Sequence, residues 1–597
     1  MPNPIESNLE YGPWNPGLQS TLPGKYLALS TMFRTENVLT SIKTAQELHD
    51  FTGLPIQQLI RFRPERLIVH ELLIRVSADI FVSDGSRYED LGVNYRTIVD
   101  NILRHYIEPH KSEILNSFDL LSGEIEAQIS TQLCELVEPP KDNTTLERDS
   151  FFKRIFAIRR KSATIPAPEL ANDRQQKIFA KWRQQLRSST DPRTQVIYSA
   201  LLKITNAIIV KHGRLIGDQS LLIQLACVLV CNDWGSRHIG ALITPYIEQA
   251  AKDNNYTILP AQKQPVIINI KGASASGKST MRPLQQKQTD GFGLNWHDFA
   301  LISPDIWRKY LLDYETLADA YKYAGTLAGD EVPIIDHKLD LYIGKKAQEG
   351  RVSHLLVDRF RFDSFAPGKD TKEGSNLLTR FGHTIFLTFM VTPPEQTVER
   401  AWKRGLQVGR YKAVDDLLDH NVEAFKGIPV IFFTWALNRE KTVHFEFLDN
   451  SVAYGEKPLT IAFGSNNEMY LYDFKCMIDI TRNVKLNIDA TCPEEIFSDY
   501  VDTSPQSNTD FLISCAKKLE KIHFVDRQSE HIYAYMECGK LLWMDHGKID
   551  TLIIDNHVHA GLYAMDKRIF DHPRQIQHCD SRTIPEHVLQ HTLQATG

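Results

Sequence analysis

Short apolar runs alternating with helix-spaced segments, and a glycine-rich loop closing the first of those runs, predict a multidomain α/β protein. Its core is expected to be a parallel sheet of the P-loop type. A mostly helical N-terminal region is expected before that core, and a mixed, β-rich C-terminal region after it. The length of 597 residues suits about three domains. The expected division is 1–140, mainly helical; 141–260, a helical linker or scaffold; 261–435, the P-loop core domain; and 436–597, a mixed α/β domain.

Apolar residues recur at three- and four-residue intervals through 45–48, 56–62, 67–76 and 95–106. Prolines and polar residues break the pattern at 138–143 and 162–171, and helical spacing returns over 175–186 and 196–251. Buried-strand runs follow at 265–270, 299–302, 354–357 and 384–391, with helix-like stretches at 314–328 and 333–349 between them. A helix is expected over 414–425. Beyond residue 428 the pattern turns strand-like at 442–447 and 469–474, with a connector at 487–500, a helix over 509–522 and a short strand at 551–554.

Composition removes several function classes. The 68 Lys and Arg against 74 Asp and Glu leave a formal charge of −6, so a nucleic-acid role would need a local basic groove. The 42% hydrophobic and 24% charged fractions exclude wholesale disorder. Eight cysteines with no C-x-x-C pair fit neither a disulfide scaffold nor a structural zinc site. Cys227 and Cys231 lie in an apolar run and read as core. The most apolar stretch, 221–230, is half the length a bilayer span requires, about 20 residues. With no leader pattern at the start, the expected compartment is the cytosol; an effector exported without a signal peptide would look the same.

The loop Gly272-Ala273-Ser274-Ala275-Ser276-Gly277-Lys278-Ser279 satisfies G-x-x-x-x-G-K-[S/T], with Thr280 just beyond. Its backbone N–H groups are expected to converge on phosphates, Lys278 to reach the β/γ-phosphates of ATP, and Ser279 to ligate Mg²⁺. After the second apolar run comes Ser303-Pro304-Asp305-Ile306-Trp307-Arg308. Asp305 there can accept a hydroxyl proton, with Arg308 as a phosphate contact; the plainer alternative is a helix cap. Asp358 ends the third run and is placed to orient Mg²⁺ through water. Arg400 and Arg404 fall on one helix face, and Arg410 follows Gly409 in a turn. Arg404 and Arg410 are expected to stabilise charge on the transferred group from a lid, the alternative being a solvated basic helix.

The order of apolar strand, P-loop, I-S-P-D-I-W-R, helix, strand with terminal carboxylate and arginine-bearing lid resembles the zeta-toxin kinases over residues 262–431. The resemblance implies transfer of the ATP γ-phosphoryl to a hydroxyl of a small nucleotide-like acceptor, such as a nucleotide sugar, with Asp305 as base. It implies acceptor contacts from His337 in the intervening helix and from an arginine after Asp358, either Arg359 or Arg361, with Arg361 favoured. Ser303 stands where that family has Asn, and Asp358-Arg359-Phe360-Arg361 replaces its E-G-T, both on the acceptor side. Family habit adds an inhibitory partner protein and a toxin or exported-effector role. A polynucleotide 5′-hydroxyl kinase acting on nucleic acid, and a non-catalytic nucleotide-responsive scaffold, are the alternatives.

Three features are set aside. Asp555, His557 and His559 would share one side of a strand as a partial metal site, but no further ligand stands at a matching spacing. Lys153, Arg154, Arg159, Arg160 and Lys161 among phenylalanines read as a charged helix face. Cys515 and Cys538 read as packing residues.

Overall fold

A computed structural model describes residues 11–85, 89–134, 136, 168–359, 379–453 and 455–593, with side chains from 175 onward in the helix that begins at Pro168. The chain resolves into two compact units: Met1–Tyr26, Val76–Thr97 and Asn255–Gly597 in one, and Leu27–Arg75 and Ile98–Asn254 in the other. The units cut across the expected four-part division.

The second unit is helical, as its periodicity predicts. Its elements are α1 (Ile42–Thr52), most of α2 (Pro64–Asp79), the end of α3 (Asp90–Ile102), α4 (Lys111–Cys134), α5 (Pro168–Ser188), α6 (Pro192–His212), α7 (Gln219–Val230) and α8 (Ser236–Asp253). Ile125, Ile129 and Leu133 lie one turn apart on α4, and all are buried. Cys227 and Cys231 are buried too, as expected of core positions. Glu71 and Arg75 form a buried ion pair at 2.6 Å, and Ser236 donates to Glu71. Among the described residues no helix is long and apolar enough to cross a membrane. The basic stretch around 153–161 lies outside the described residues.

The first unit holds one twelve-stranded mixed sheet. Strands β1 (Val266–Lys271), β2 (Phe299–Ile302), β3 (His354–Asp358), β4 (Thr384–Val391) and β5 (Thr442–Asp449) are all parallel, in the order β2-β3-β1-β4-β5. Every residue of β1 is buried, which is why, Asn269 and the terminal Lys271 apart, it reads as an apolar run. The connections include α9 (Arg282–Gly291) and α10 (Glu331–Gln348), then α11 (Pro394–Val408) and α12 (Val414–Ala436) between β4 and β5. The sheet continues through β6 (Leu459–Ser465), β7 (Glu468–Leu471), β8 (Lys521–Asp526), β9 (His531–Glu537), β10 (Lys540–Met544) and β11 (Gln577–His578). A two-residue β12 (Arg582–Thr583) pairs with β9.

Several expectations need correcting. Strand β5 pairs with β4 along its whole length, so no break in the sheet stands at the expected boundary after residue 435. Phe432 and Trp435 of α12 share a core with Met477 of α13 (Phe474–Arg482) and Phe511 of α14 (Asp510–Lys518). The helix expected to end at 425 runs on to Ala436 through Pro429. Buried Phe425, Ile428, Ile431 and Phe432 hold it together where the proline removes a backbone donor. The segment read as one helix over 314–328 is a 3₁₀ stretch, Tyr314–Tyr323, kinked at Ala318 (φ 44°), followed by a single turn. The strand expected at 551–554 is instead the end of α15 (His546–Leu552) and the turn after it. Asp555 caps α16 (Asn556–Met565) by accepting from the His557 and Val558 amides, so the proposed alternation of His557 and His559 does not exist.

Candidate phosphate-binding site

Parallel strands present their carboxyl ends along one edge of a sheet, where α/β proteins place ligands. Here that edge carries Gly272 after β1, Asp305 after β2, Asp358 ending β3, Thr392 after β4 and Asn450 after β5.

The loop after β1 turns through positive φ at Ala275 (61°) and Gly277 (97°), the alternation that turns successive N–H groups toward one concavity. Glycine is required at two of its positions. A Cβ on Gly272 would come within 2.7 Å of Ser276 Oγ and 2.8 Å of Met390 Cβ; one on Gly277 would lie 2.2 Å from Asn450 Nδ2. Asn450 Nδ2 and Thr392 Oγ1 both donate to the Ser276 carbonyl, at 2.7 and 3.1 Å, tying the loop to the ends of β5 and β4. Ser276 Oγ is buried in the loop with no hydrogen-bond partner. A 3₁₀ turn, Lys278–Met281, separates the loop from α9.

Lys278 folds back onto the loop, donating to the Gly272 and Ala273 carbonyls at 3.0 and 2.8 Å. Burial lowers its amine below the usual lysine value, Asp358 and Asp305 oppose that, and Arg404 and Arg410 add to it. Lys278 is therefore within electrostatic reach of Asp358, Asp305, Arg404 and Arg410. Ser279 Oγ donates to Asp358 Oδ2 at 2.9 Å, and Arg282 Nη2 lies 3.6 Å from the same oxygen. A hydroxyl and a carboxylate oxygen side by side form the hard-oxygen donor pair that Mg²⁺ prefers.

Asp305 lies in a 3₁₀ turn, Pro304–Trp307, over the fully buried Trp307. It does not act as a simple cap. Its Oδ1 accepts from Arg308 Nε at 3.0 Å, and its Oδ2 from Arg410 Nη2 at 2.7 Å. Burial would raise its pKa, but Arg410, Arg308 and Arg404 outweigh that and hold the carboxyl well below the usual range. The side chain remains half-exposed, so solvent screens part of this effect.

Gly409 ends α11 in the left-handed conformation and turns the chain so that Arg410 faces Asp305. Arg404 Nε donates to the Arg410 carbonyl at 3.4 Å. Arg400 instead donates to the Asn450 and Val452 carbonyls, which makes it a brace beyond β5 and not a cleft cation.

The acceptor-side expectations fare differently. His337 stands half-buried on α10, and among the described residues no hydrogen bond or ion pair joins it to the cleft. Arg361 lies outside the described residues. Arg359 is buried and paired at 2.6 Å with each of Asp336 and Asp340 of α10, so it clamps that helix to β3. Under it, the fully buried Lys271 donates to the Arg359 carbonyl at 3.4 Å.

Three site residues were missed from sequence. Lys412 Nζ lies 3.3 Å from Asp416 and against the His420 ring, 3.2 Å from Nε2 and closer to Nδ1, one of which accepts from it. Their four-residue spacing was the available signal. Among the described residues no cluster suits a metal ion held by three or more His, Cys, Asp or Glu.

No protein-family model matches the chain, and no curated protein matches it. A solved structure from the PezAT chromosomal toxin–antitoxin system of Streptococcus pneumoniae is 17% identical to it over 33% of this chain and 72% of that one, with a TM-score of 0.24. A likeness that slight carries no argument about what this chain does.

Proposed function

We propose that the chain is a phosphotransferase that moves the γ-phosphoryl of ATP to a hydroxyl of a small nucleotide-like acceptor, such as a nucleotide sugar. The observation that carries this reading is Asp305, held between Arg308 and Arg410 on the sheet edge that also bears Lys278 and the Ser279–Asp358 pair.

The phosphates of ATP would lie against the backbone N–H groups of 272–280, with the orphaned Ser276 hydroxyl as a further donor. Lys278 would exchange its two loop carbonyls for the β- and γ-oxygens, a trade of neutral for charge-assisted bonds. Ser279 and Asp358 fit Mg²⁺, the second through water, and the ion supplies charge neutralisation on the phosphate oxygens. Arg410 and Arg404 would turn from Asp305 toward the transferring group and offset its charge.

Once Arg410 leaves it, Asp305 faces the acceptor hydroxyl with one competing cation fewer. Phosphoryl transfer proceeds through a loose transition state, so the carboxylate orients the nucleophile and takes its proton late. Departure of Arg410, the largest of the charges that depress its pKa, also makes the carboxylate a better proton acceptor. Labelled ATP offered with a panel of nucleotide sugars and oligonucleotides tests the reading. Label passing to a nucleotide sugar supports it; label on oligonucleotide alone, or nucleotide bound without transfer, overturns it.

A further inference from the structure

Arg282 opens α9, directly after the turn that carries Lys278 and Ser279, and it is buried. Its guanidinium stands between two carboxylates: Nη2 lies 3.6 Å from Asp358 Oδ2, and Nε lies 4.0 Å from Asp84 Oδ1. Both separations exceed the length of an N–H···O hydrogen bond, about 2.7–3.2 Å. Among the described residues, Arg282 Nε and Asp84 Oδ1 are buried with no hydrogen-bond partner. A guanidinium that served only to neutralise an acid would close on it, as Arg359 does on Asp336 and Asp340 at 2.6 Å. Asp84 is anchored from its other side, where Oδ2 accepts from Trp296 Nε1 at 3.1 Å. It comes from Val76–Thr97, far from the loop in sequence but in the same compact unit.

We propose that Arg282 is a positioning residue divided between Asp358 and Asp84, and that Asp84 thereby sets how strongly Asp358 engages Mg²⁺. The inference rests on reading Ser279 and Asp358 as the Mg²⁺ donors, and adds to that pair a residue from outside the P-loop core. Asp358 Oδ2 is the oxygen to which Ser279 donates, so Arg282 and a metal cation draw on the same atom. Asp84 gives Arg282 a second anion to lean on and leaves Asp358 only partly neutralised. Without the Asp84 charge, Arg282 closes on Asp358 and competes in full with the metal. Burial raises the Asp84 pKa, and Arg282 and the Trp296 hydrogen bond oppose that rise. Lys271 and Lys278 also act on Asp358, and both are common to every variant compared below.

The test follows Mn²⁺, standing in for Mg²⁺, by its electron-spin signal on the full chain with a non-hydrolysable ATP analogue, at about pH 8 to keep Asp84 ionised. Asp84→Asn keeps an oxygen for Trp296 and should bind Mn²⁺ about tenfold more weakly. Arg282→Met should bind it at least as tightly as wild type. In the Arg282→Met background the Asp84→Asn penalty should vanish, a rescue that a merely structural Asp84 would not show. Arg282→Gln takes the place of Arg282→Met if that chain does not fold. Asp84→Asn binding like wild type, weaker binding by Arg282→Met, or an equal Asp84→Asn penalty with and without Arg282 overturns the proposal. Asp358→Asn decides the reading beneath it. If Asp358→Asn loses Mn²⁺ while Asp84→Asn does not, this proposal falls alone. If Asp358→Asn binds like wild type, or the wild type binds no Mn²⁺, the Mg²⁺ assignment falls with it.

Discussion

Arg410 Nη2 stands 2.7 Å from Asp305 Oδ2, linking the turn after α11 to the end of β2. In one contact Arg410 and the candidate base Asp305 hold each other in check. Whatever draws Arg410 away frees an oxygen of Asp305.

That pairing predicts a pH effect. With a pKa well below the ordinary carboxyl value, Asp305 is ionised throughout the working range, so it gives the wild-type rate profile no acid limb there. Arg410→Gln removes a principal cause of the depression, and an acid limb should rise into view as the Asp305 pKa moves up. Transfer at neutral pH should also fall about 10²- to 10³-fold through loss of a charge donor. Initial rates from about pH 4 to 8 check both effects.

Gly277→Ala should cripple the loop with little change elsewhere. The residue would be held at φ 97° with its Cβ against Asn450 Nδ2, so the loop must shift or release Asn450. Nucleotide affinity should drop at least tenfold, with global stability lower by about 1–2 kcal/mol. Calorimetric titration and urea unfolding measure the two.

Buried charge predicts a larger stability effect at Arg359. Arg359→Met leaves Asp336 and Asp340 facing each other in the interior without their shared cation. The loss should be about 3–5 kcal/mol, read from urea unfolding, and partly recovered by Asp340→Asn in the same chain.

Glu446 on β5 gives stability a pH dependence of its own. Burial raises its carboxyl from 4.5 to about 7 against the opposing Leu593 amide and Thr460 hydroxyl, both of which donate to it. A raised acid pKa means the folded chain keeps a proton that the unfolded chain releases. Its stabilisation is complete below about pH 4.5 and is lost as pH rises through 7, about 3 kcal/mol in all. His444, stacked on His591, works in the opposite sense. Burial, with His591, pushes it down to about 3, so its share is present above pH 6.5 and fades toward 3. Glu446→Gln isolates the first effect: it should raise the melting temperature at pH 8 and leave it nearly unchanged at pH 5.

Local chemistry made much of this legible in sequence. The first four strands read as apolar runs because parallel strands are buried on both faces, and the loop read as a phosphate loop because glycine is needed at 272 and 277. Pairing partners are not local information, and so the extension of the sheet from β5 to β12 went unseen. Asp555 and His557 alternate like strand residues, yet a capping carboxylate starts a helix there. Lys271 ends an apolar run, and nothing in its neighbours announces a fully buried ammonium. Lys412, Asp416 and His420 show helical spacing, but Lys412 precedes the helix that begins at Val414, so the spacing crosses an element boundary.

The central claim is that Lys278 and Asp305 act on one phosphoryl group. Mass spectrometry of a small-molecule cell extract incubated with the purified chain and ATP, beside Lys278→Ala and Asp305→Asn, tests it most directly. The account predicts a metabolite bearing a hydroxyl that gains one phosphate with the wild type, about 10²-fold less or none with either variant. Equal phosphorylation by wild type and Asp305→Asn would contradict it, as would no phosphorylated product from an enzyme that binds ATP.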